Sequence, residues 1–429
     1  MKPSSQPSLG KATWRLRVVL AGIALVTTAC GSTPALDTAS TSTPSTSTPS
    51  TTTTGTPSTA SESAVGAPES PREEIGTYAV GQRQVDLVDP SRPTAANGDA
   101  PASDQRALPT VVFYPAAGDP GADPLSPVVT EGAEPLDGPH PLVVFSHGVT
   151  GRGIFYQAVL RVWASAGYVV VAPDHPLSNA DTPGGPTVTD VGNQPADVSF
   201  LIDAFTARAD DATPAATPSG PPTVTPVDFD PDFDPDTATD PDRDSEPDPD
   251  ADAEPEPDTE GALDPGPGLE AAAEVAELVD PDKIAATGHS LGGVTSLGVG
   301  YGPGLVDDRV DAVIDWAGLP LLLRDGPEPG ITDRPALIVH GTDDGTVSYS
   351  QSEEAFAILE SPRVFITLPG GEHVVPFVSP GSPAGELVTR TAVDFLDAHL
   401  KDDPEGIDRL VAAVDAAGED LATLETADP

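Results

Sequence analysis

The chain has 429 residues, 51 prolines, a single cysteine and a formal net charge of −48 at pH 7. Repulsion between carboxylates and the stiffness of proline prevent all of this length from packing into one domain. One cysteine excludes an intrachain disulfide, so any folded part must be stabilised by a hydrophobic core. The acidity also argues against a nucleic-acid partner, because phosphate binding needs basic patches.

Residues 1–29 have the pattern of an export signal. Basic residues precede an apolar stretch, 18–28, that is too short for a stable membrane span. Cys30 follows directly and stands before Gly-Ser, as at a bacterial lipoprotein processing site. We therefore predict lipidation of Cys30, membrane attachment through that lipid and an extracytoplasmic location. The alternative is ordinary signal cleavage and a secreted protein with an unmodified cysteine.

Residues 32–63 consist almost entirely of Ser, Thr, Pro and Ala. A segment with so little apolar surface cannot offset the entropy lost on ordering, so we predict disorder. Residues 30–70 are accordingly predicted to form a flexible stalk with the lipid at one end. Such a stalk would hold a folded domain away from the membrane.

Apolar strands and helices alternate through the rest of the chain, which we predict to form one catalytic domain of residues 71–209 and 269–429. Strands that are apolar throughout indicate a mostly parallel sheet, because such strands are buried on both faces. The predicted class is α/β, with helices on both faces of the sheet. Strands are predicted at 110–114, 141–146, 168–172, 283–286, 310–315, 336–340 and 363–368, and helices at 157–166, 196–208, 270–279 and 389–400.

A second biased segment, residues 210–268, is rich in Asp, Glu and Pro and contains one base, Arg243. Like charges and proline oppose packing, so this insert is predicted to be disordered. Alternating Asp suits Ca²⁺, but a calcium loop also needs a glycine, and none lies between Val227 and Glu260. Calcium binding is therefore not expected. The insert interrupts the helix 196–208, which is predicted to resume at 270–279, so it should emerge at the amino edge of the sheet.

Residues 287–293 read Thr-Gly-His-Ser-Leu-Gly-Gly and lie between a short strand and a helix of small residues. Gly-X-Ser-X-Gly in this setting is a nucleophile elbow, a sharp turn that exposes the hydroxyl of Ser290. Gly288 and Gly292 are needed because a Cβ at either position would collide with neighbouring backbone. We predict Ser290 to be the nucleophile and give His289 a packing role.

A serine nucleophile needs a base and an acid, which should follow later strands at the same edge of the sheet. The strand 363–368 is followed by Pro-Gly-Gly-Glu-His, which makes His373 the predicted base. The strand 336–340 is followed by Gly-Thr-Asp-Asp, which offers Asp343 and Asp344 as the acid. Asp344 is favoured because it stands three residues before Val347.

Negative charge on the reacting carbonyl oxygen must be stabilised by N–H donors. The backbone N–H of Leu291, directly after the nucleophile, is the first predicted donor. The second is assigned to Val149, in the loop His-Gly-Val-Thr-Gly that follows the strand 141–146. His147 in that loop is expected to be structural rather than a proton carrier.

From about residue 76 to residue 400, with the insert excluded, the chain resembles the bacterial α/β hydrolases. It is most similar to secreted esterases of the platelet-activating-factor acetylhydrolase-like and dienelactone-hydrolase-like kinds, and cutinase-like polyesterases are more distant. The family pattern Gly-Thr-X-Asp-X-X-Val places its acid on Asp344. The resemblance implies the α/β-hydrolase fold and a serine esterase without metal or cofactor. It is carried by residues 108–116, 146–148, 172–176, 195–198, 288–293, 340–344 and 371–373.

Residues 316–323 follow a strand at the edge where the triad is expected. Leu319 would line an acyl site there and Trp316 would stack on a ring of the substrate, with ordinary core packing as an equal alternative. No large cap domain interrupts the strands, which indicates an open cleft for a small or lipid-like ester.

Two other functions stay open at this point. An amidase or peptidase would use the same triad. A non-catalytic surface protein would instead bind a partner through the acidic insert, but such a protein would be expected to lose Ser290, Asp344 or His373. Because all three are present, the sequence favours an enzyme.

Overall fold

The computed structural model describes residues 75–207 and 266–428. Within these residues ten strands form one sheet, namely β1 (Ala79–Asp89), β2 (Arg106–Ala116), β3 (Val129–Glu131), β4 (His140–Ser146), β5 (Val169–Pro173), β6 (Val279–His289), β7 (Ala312–Trp316), β8 (Ala336–Gly341), β9 (Arg363–Leu368) and β10 (Thr423–Ala427). Their order across the sheet is β10-β9-β8-β7-β6-β4-β5-β2-β1-β3.

The six central strands, β4 to β9, all run parallel to one another. Strand β2 is antiparallel to β1 and β5, and β10 is antiparallel to β9. The helices are α1 (Gln157–Ser165), α2 (Gln194–Thr206), α3 (Gly266–Ala276), α4 (Leu291–Tyr301), α5 (Ser350–Ile358), α6 (Val375–Val378), α7 (Pro383–Leu400) and α8 (Gly406–Ala417).

Strand β4 shows why helices cover both faces of the sheet. Val143 and Phe145 belong to one buried apolar cluster, which α1, α7 and α8 complete. The alternating residues Leu142 and Val144 belong to a second cluster, which α2, α3 and α4 help to complete. Because successive side chains of a strand point to opposite faces, a strand that is apolar throughout needs cover on both sides. The predicted α/β-hydrolase architecture is therefore confirmed.

The region between α2 and β6 differs from the prediction of one interrupted helix. Asp203, near the end of α2, pairs with Arg309 ahead of β7, so α2 ends at the amino edge of the sheet. Gly268 lies against the backbone of Asp86, in the part of β1 near the carboxyl edge. Helix α3 is thus a separate helix that runs back toward the amino edge beside α2, and it begins inside the predicted insert.

The chain therefore leaves the described structure at the amino edge and re-enters it near the carboxyl edge. The prediction that the insert emerges only at the amino edge was wrong for its second end. The predicted signal, the stalk, the lipidation site at Cys30 and residues 210–265 of the insert lie outside the described residues and stay predictions. None of the helices in the described part of the chain is long and apolar enough to cross a membrane.

Candidate active site

Ser290 occupies the corner between β6 and α4 in a left-handed conformation, with φ 57° and ψ −118°. An L-residue adopts this region only where the surrounding structure enforces it. A Cβ on Gly292 would overlap the carbonyl of Ser146, and one on Gly288 would overlap the carbonyl of Gly292. The two glycines thus permit the close packing that holds the turn, as the motif predicted, and Ser290 stands at the amino end of α4.

The structure brings together the three side chains that the sequence singled out on three different loops. The Nε2 atom of His373 lies 2.9 Å from the Oγ of Ser290, and its Nδ1 lies 2.6 Å from Oδ2 of Asp344. The side chain of Asp344 is fully buried, whereas that of His373 is 12 % exposed. Asp343 is exposed to solvent. The acid that contacts the histidine is therefore Asp344.

Asp344 is held by several donors besides His373. Its Oδ1 accepts hydrogen bonds from the backbone N–H groups of Thr346 and Val347, both at 2.8 Å, and its Oδ2 lies 3.0 Å from Nε2 of His340. Burial alone would raise the pKa of this carboxyl, but the hydrogen bonds from His340 and His373 outweigh it and hold the pKa well below its usual range. Asp344 is consequently ionised and fixed in orientation.

His289, which the sequence suggested was only packing, has both ring nitrogens bonded. Its Nε2 lies 2.6 Å from the carbonyl oxygen of His373, and its Nδ1 lies 2.8 Å from the hydroxyl of Tyr156. Burial lowers the pKa of His289 to about 3, so the ring is neutral. A carbonyl only accepts, so Nε2 carries the proton and Nδ1 accepts from Tyr156.

The same hydroxyl of Tyr156 accepts a long hydrogen bond of 3.4 Å from the N–H of Gly148. One chain of hydrogen bonds therefore joins the loop of Val149, the elbow of Ser290 and the loop of His373. No sequence signal identified Tyr156, because its partner His289 is 133 residues away along the chain.

The predicted oxyanion loop lies beside the elbow, where Gly148 approaches the Cβ of Ser290. Fully buried His147 donates from Nδ1 to the carbonyl of Gly148 at 2.8 Å and accepts at Nε2 from the N–H of His175 at 3.0 Å. Burial lowers the pKa of His147 to about 3, which leaves it neutral and structural, as expected. Within residues 75–207 and 266–428 the N–H of Val149 donates to no other group.

A buried ionic network supports this loop from behind. Arg106 and Asp197 are both inaccessible to solvent and are joined by hydrogen bonds of 2.6 and 2.7 Å. Asp197 also lies 3.0 Å from Nδ1 of His175, whose Nε2 lies 3.2 Å from the hydroxyl of Ser146. Burial would raise the pKa of Asp197, but Arg106 and His175 hold it well below its usual range. The network therefore fixes the end of β4, where the oxyanion loop begins.

The two predicted pocket residues, Trp316 and Leu319, occupy different environments. Trp316 is fully buried between Phe145, Trp163 and Phe377, so its ring has no face open to a substrate. The stacking role was wrong for this side chain, and the core-packing alternative describes it, because β7 buries both its faces. Leu319 is only partly buried. It belongs to a small apolar cluster beside the elbow, with Val149, Val188, Val191, Leu291, Val294, Leu321 and Leu322.

The described residues contain no group of three or more His, Cys, Asp or Glu side chains arranged to hold a metal ion. A cleft of about 1030 Å³ lies between α7, α8 and residues 75–78, and none of the three triad residues lines it.

Comparison with known proteins gives one family match and many structural ones. Residues 126–182 match the family model of platelet-activating factor acetylhydrolase, isoform II. This stretch includes the oxyanion loop and ends before the three triad residues. No curated protein sequence matches the chain. A solved ferulic acid esterase from Streptomyces cinnamoneus shares 21 % identity with a TM-score of 0.48, covering 79 % of this chain and 93 % of that one. Over residues 126–182 the chain is therefore similar to the platelet-activating factor acetylhydrolase, isoform II, family.

Proposed function

We propose that this protein is a serine hydrolase that cleaves carboxylic esters through Ser290, His373 and Asp344. The observation that carries the proposal is the continuous line of hydrogen bonds from the Ser290 hydroxyl through the imidazole to the Asp344 carboxylate. Base and nucleophile are within reach of each other, and a third group orients the base. The similarity of residues 126–182 to an acetylhydrolase family supports an ester as the substrate.

In the proposed mechanism each group has a defined step. As Oγ of Ser290 attacks the ester carbonyl carbon, Nε2 of His373 takes the hydroxyl proton. The carbonyl oxygen becomes an oxyanion, for which the N–H groups of Leu291 and Val149 are the proposed donors. The tetrahedral intermediate then collapses, the C–O bond breaks, and the imidazolium gives its proton to the departing alcohol oxygen.

The remaining acyl-enzyme is hydrolysed by the same groups in reverse roles. His373 removes a proton from water, the hydroxide adds to the acyl carbon, and Oγ of Ser290 recovers its proton as the acid leaves. Asp344 stays ionised throughout, because its hydrogen bonds hold its pKa well below the usual range. It fixes the Nδ1–H tautomer and stabilises the imidazolium. None of these steps requires a metal or an organic cofactor.

Replacing Ser290 by Ala tests the proposal directly. We expect hydrolysis of p-nitrophenyl acetate and butyrate to fall by at least about 10³-fold, because the nucleophile is lost. The control is Ser348→Ala, which removes an exposed hydroxyl on the Asp344 loop and should keep its activity. Circular dichroism would show that both proteins are folded. Equal activity of Ser290→Ala and the unaltered chain would then overturn the assignment of Ser290 as the nucleophile.

The same triad would also cleave amides, so the ester preference needs its own test. Matched acetate ester and acetanilide substrates share the acyl group and differ in the leaving atom. We expect a large preference for the ester, and faster cleavage of the anilide would assign the chain to the amidases instead.

We also propose an extracytoplasmic location, with attachment to the membrane through a lipid on Cys30. The support is the basic region, the short apolar stretch and the Cys-Gly-Ser sequence at residues 30–32. Metabolic labelling with a radioactive fatty acid should label the unaltered chain and leave Cys30→Ala unlabelled. Equal labelling of both, or of neither, would contradict lipidation at this cysteine.

A further inference from the structure

Exposed apolar side chains gather beside the catalytic histidine. Among the described residues, six large hydrophobic side chains are exposed to solvent, and three of these are Phe155 at 55 %, Val374 at 46 % and Val375 at 49 %. Val374 and Val375 directly follow His373, and α6, which begins at Val375, packs against the short 3₁₀ turn Gly153–Tyr156 that contains Phe155. Isolated exposed apolar residues are ordinary, but a group of them at an active site indicates binding.

This surface is held in place from beneath. Tyr156, the neighbour of Phe155, is buried and bonded to His289. Phe377, in the same short helix as Val375, is fully buried and stacks on Trp316 with ring centres 5.4 Å apart. The exposed side chains therefore project from backbone whose neighbouring residues are anchored in the core.

The chemistry of acyl transfer decides which part of an ester meets this surface. The departing alcohol oxygen receives its proton from Nε2 of His373, so it must come within hydrogen-bond distance of that atom. The carbonyl oxygen must meanwhile lie at the N–H groups of Leu291 and Val149. In this arrangement the alcohol part would lie on the side of His373, and the acyl chain would point toward the apolar cluster that contains Leu291 and Leu319.

We propose that Phe155, Val374 and Val375 form the binding site for the alcohol part of the ester, and that this part is an apolar alkyl or aryl group. The inference rests on the proposed esterase function and adds a specificity to it. Burial of apolar surface stabilises a complex by about 25 cal/mol per Å², so a longer alkyl alcohol should bind and react better than methanol. Polar replacements on this surface should remove that advantage.

The test uses the full-length protein and two series of substrates. In the first series acetate is esterified with methanol, 1-butanol or cyclohexylmethanol, whose oxygens have similar basicity. In the second series methanol is fixed and the acyl group runs from acetyl to hexanoyl. The double variant Val374→Ser, Val375→Ser is compared with the unaltered chain. Val128→Ser, which alters a valine 47 % exposed next to the edge strand β3, is the matched control.

For the unaltered chain and the control we expect kcat/KM to rise about tenfold or more from methyl to cyclohexylmethyl acetate. In the double variant the ratio of kcat/KM for cyclohexylmethyl acetate to that for methyl acetate should be at least about fivefold smaller. The dependence of kcat/KM on the length of the acyl group should stay the same. An unchanged alcohol slope in the double variant would overturn the inference, and so would an equal flattening of both series. If the unaltered chain cleaves no ester of either series, the proposed function itself fails.

Discussion

The ring of His289 donates a hydrogen bond of 2.6 Å from Nε2 to the carbonyl oxygen of His373. The residue before Ser290 thus holds the backbone of His373, the proposed base, and Tyr156 fixes the ring of His289 from its other side. A packing side chain of similar size would fill the same space without controlling where the base loop lies.

Replacement of His289 by Phe should therefore reduce kcat by about 10- to 100-fold with a smaller change in KM. A shift of the base by about 1 Å is enough for a loss of this size. Because Gln keeps an N–H donor, His289→Gln should recover part of the loss. Steady-state kinetics on a short ester would check this, and a Phe variant with unaltered kcat would show that the ring only packs.

The two adjacent aspartates provide a matched pair of variants. Asp344→Asn should lower kcat by about 10³- to 10⁴-fold, because an amide favours the wrong imidazole tautomer and cannot stabilise the imidazolium. Asp343→Asn alters an exposed side chain and should stay within about twofold of the unaltered enzyme. If the two losses were similar in size, the acid would not be Asp344 alone.

The buried ion pair of Arg106 and Asp197 should be costly to break. Asp197→Ala leaves the guanidinium of Arg106 buried with Asp190 as its one remaining charged partner among the described residues, and it also removes the ion pair of Asp197 with Arg92. We expect the free energy of unfolding to fall by about 3–5 kcal/mol. Asp203→Ala breaks the exposed pair with Arg309 and should cost less than about 1 kcal/mol. Chemical denaturation would measure the free energy of unfolding of both variants. Equal losses in the two variants would contradict the claim that the buried pair is costlier to break than the exposed one.

Asp315 on β7 should make the folded state less stable as pH rises. Burial raises the pKa of this carboxyl to about 7 from 3.8. Among the described residues its Oδ1 accepts from the N–H of Gly318 at 3.0 Å, and its Oδ2 has no partner. Between pH 4 and 7 the folded protein keeps a proton that the unfolded chain releases. This contribution to stability is full below pH 4 and is lost as pH rises through 7.

Asp315→Asn removes that titration while it keeps the shape and the acceptor for Gly318. We expect the free energy of unfolding of the unaltered chain to decline relative to that of this variant between pH 4 and 7. Chemical denaturation of both proteins at several pH values would measure this difference. A difference between the two proteins that does not change with pH would contradict the raised pKa of Asp315.

Much of the central sheet and the proposed triad could be predicted from local sequence. Continuous apolar runs predicted β4, β5, β7, β8 and β9, because strands buried on both faces leave no room for polar alternation. Strands β1, β3 and β10 were missed, since strands at or near the margins carry a weaker pattern. The direction of α3 was also missed, because it depends on contacts with β1 far away in the chain.

The sequence by itself identified Ser290 as the proposed nucleophile, His373 as the proposed base, and their order along the chain. These depend on short motifs, whose glycines and turns act within a few residues. Only the tertiary structure decided between Asp343 and Asp344, buried Trp316 in the core and gave His289 its contact with His373. Each of these depends on contacts that exist only after folding. His289 and His373 are 84 positions apart in the chain, and Asp344 and His373 are 29 apart.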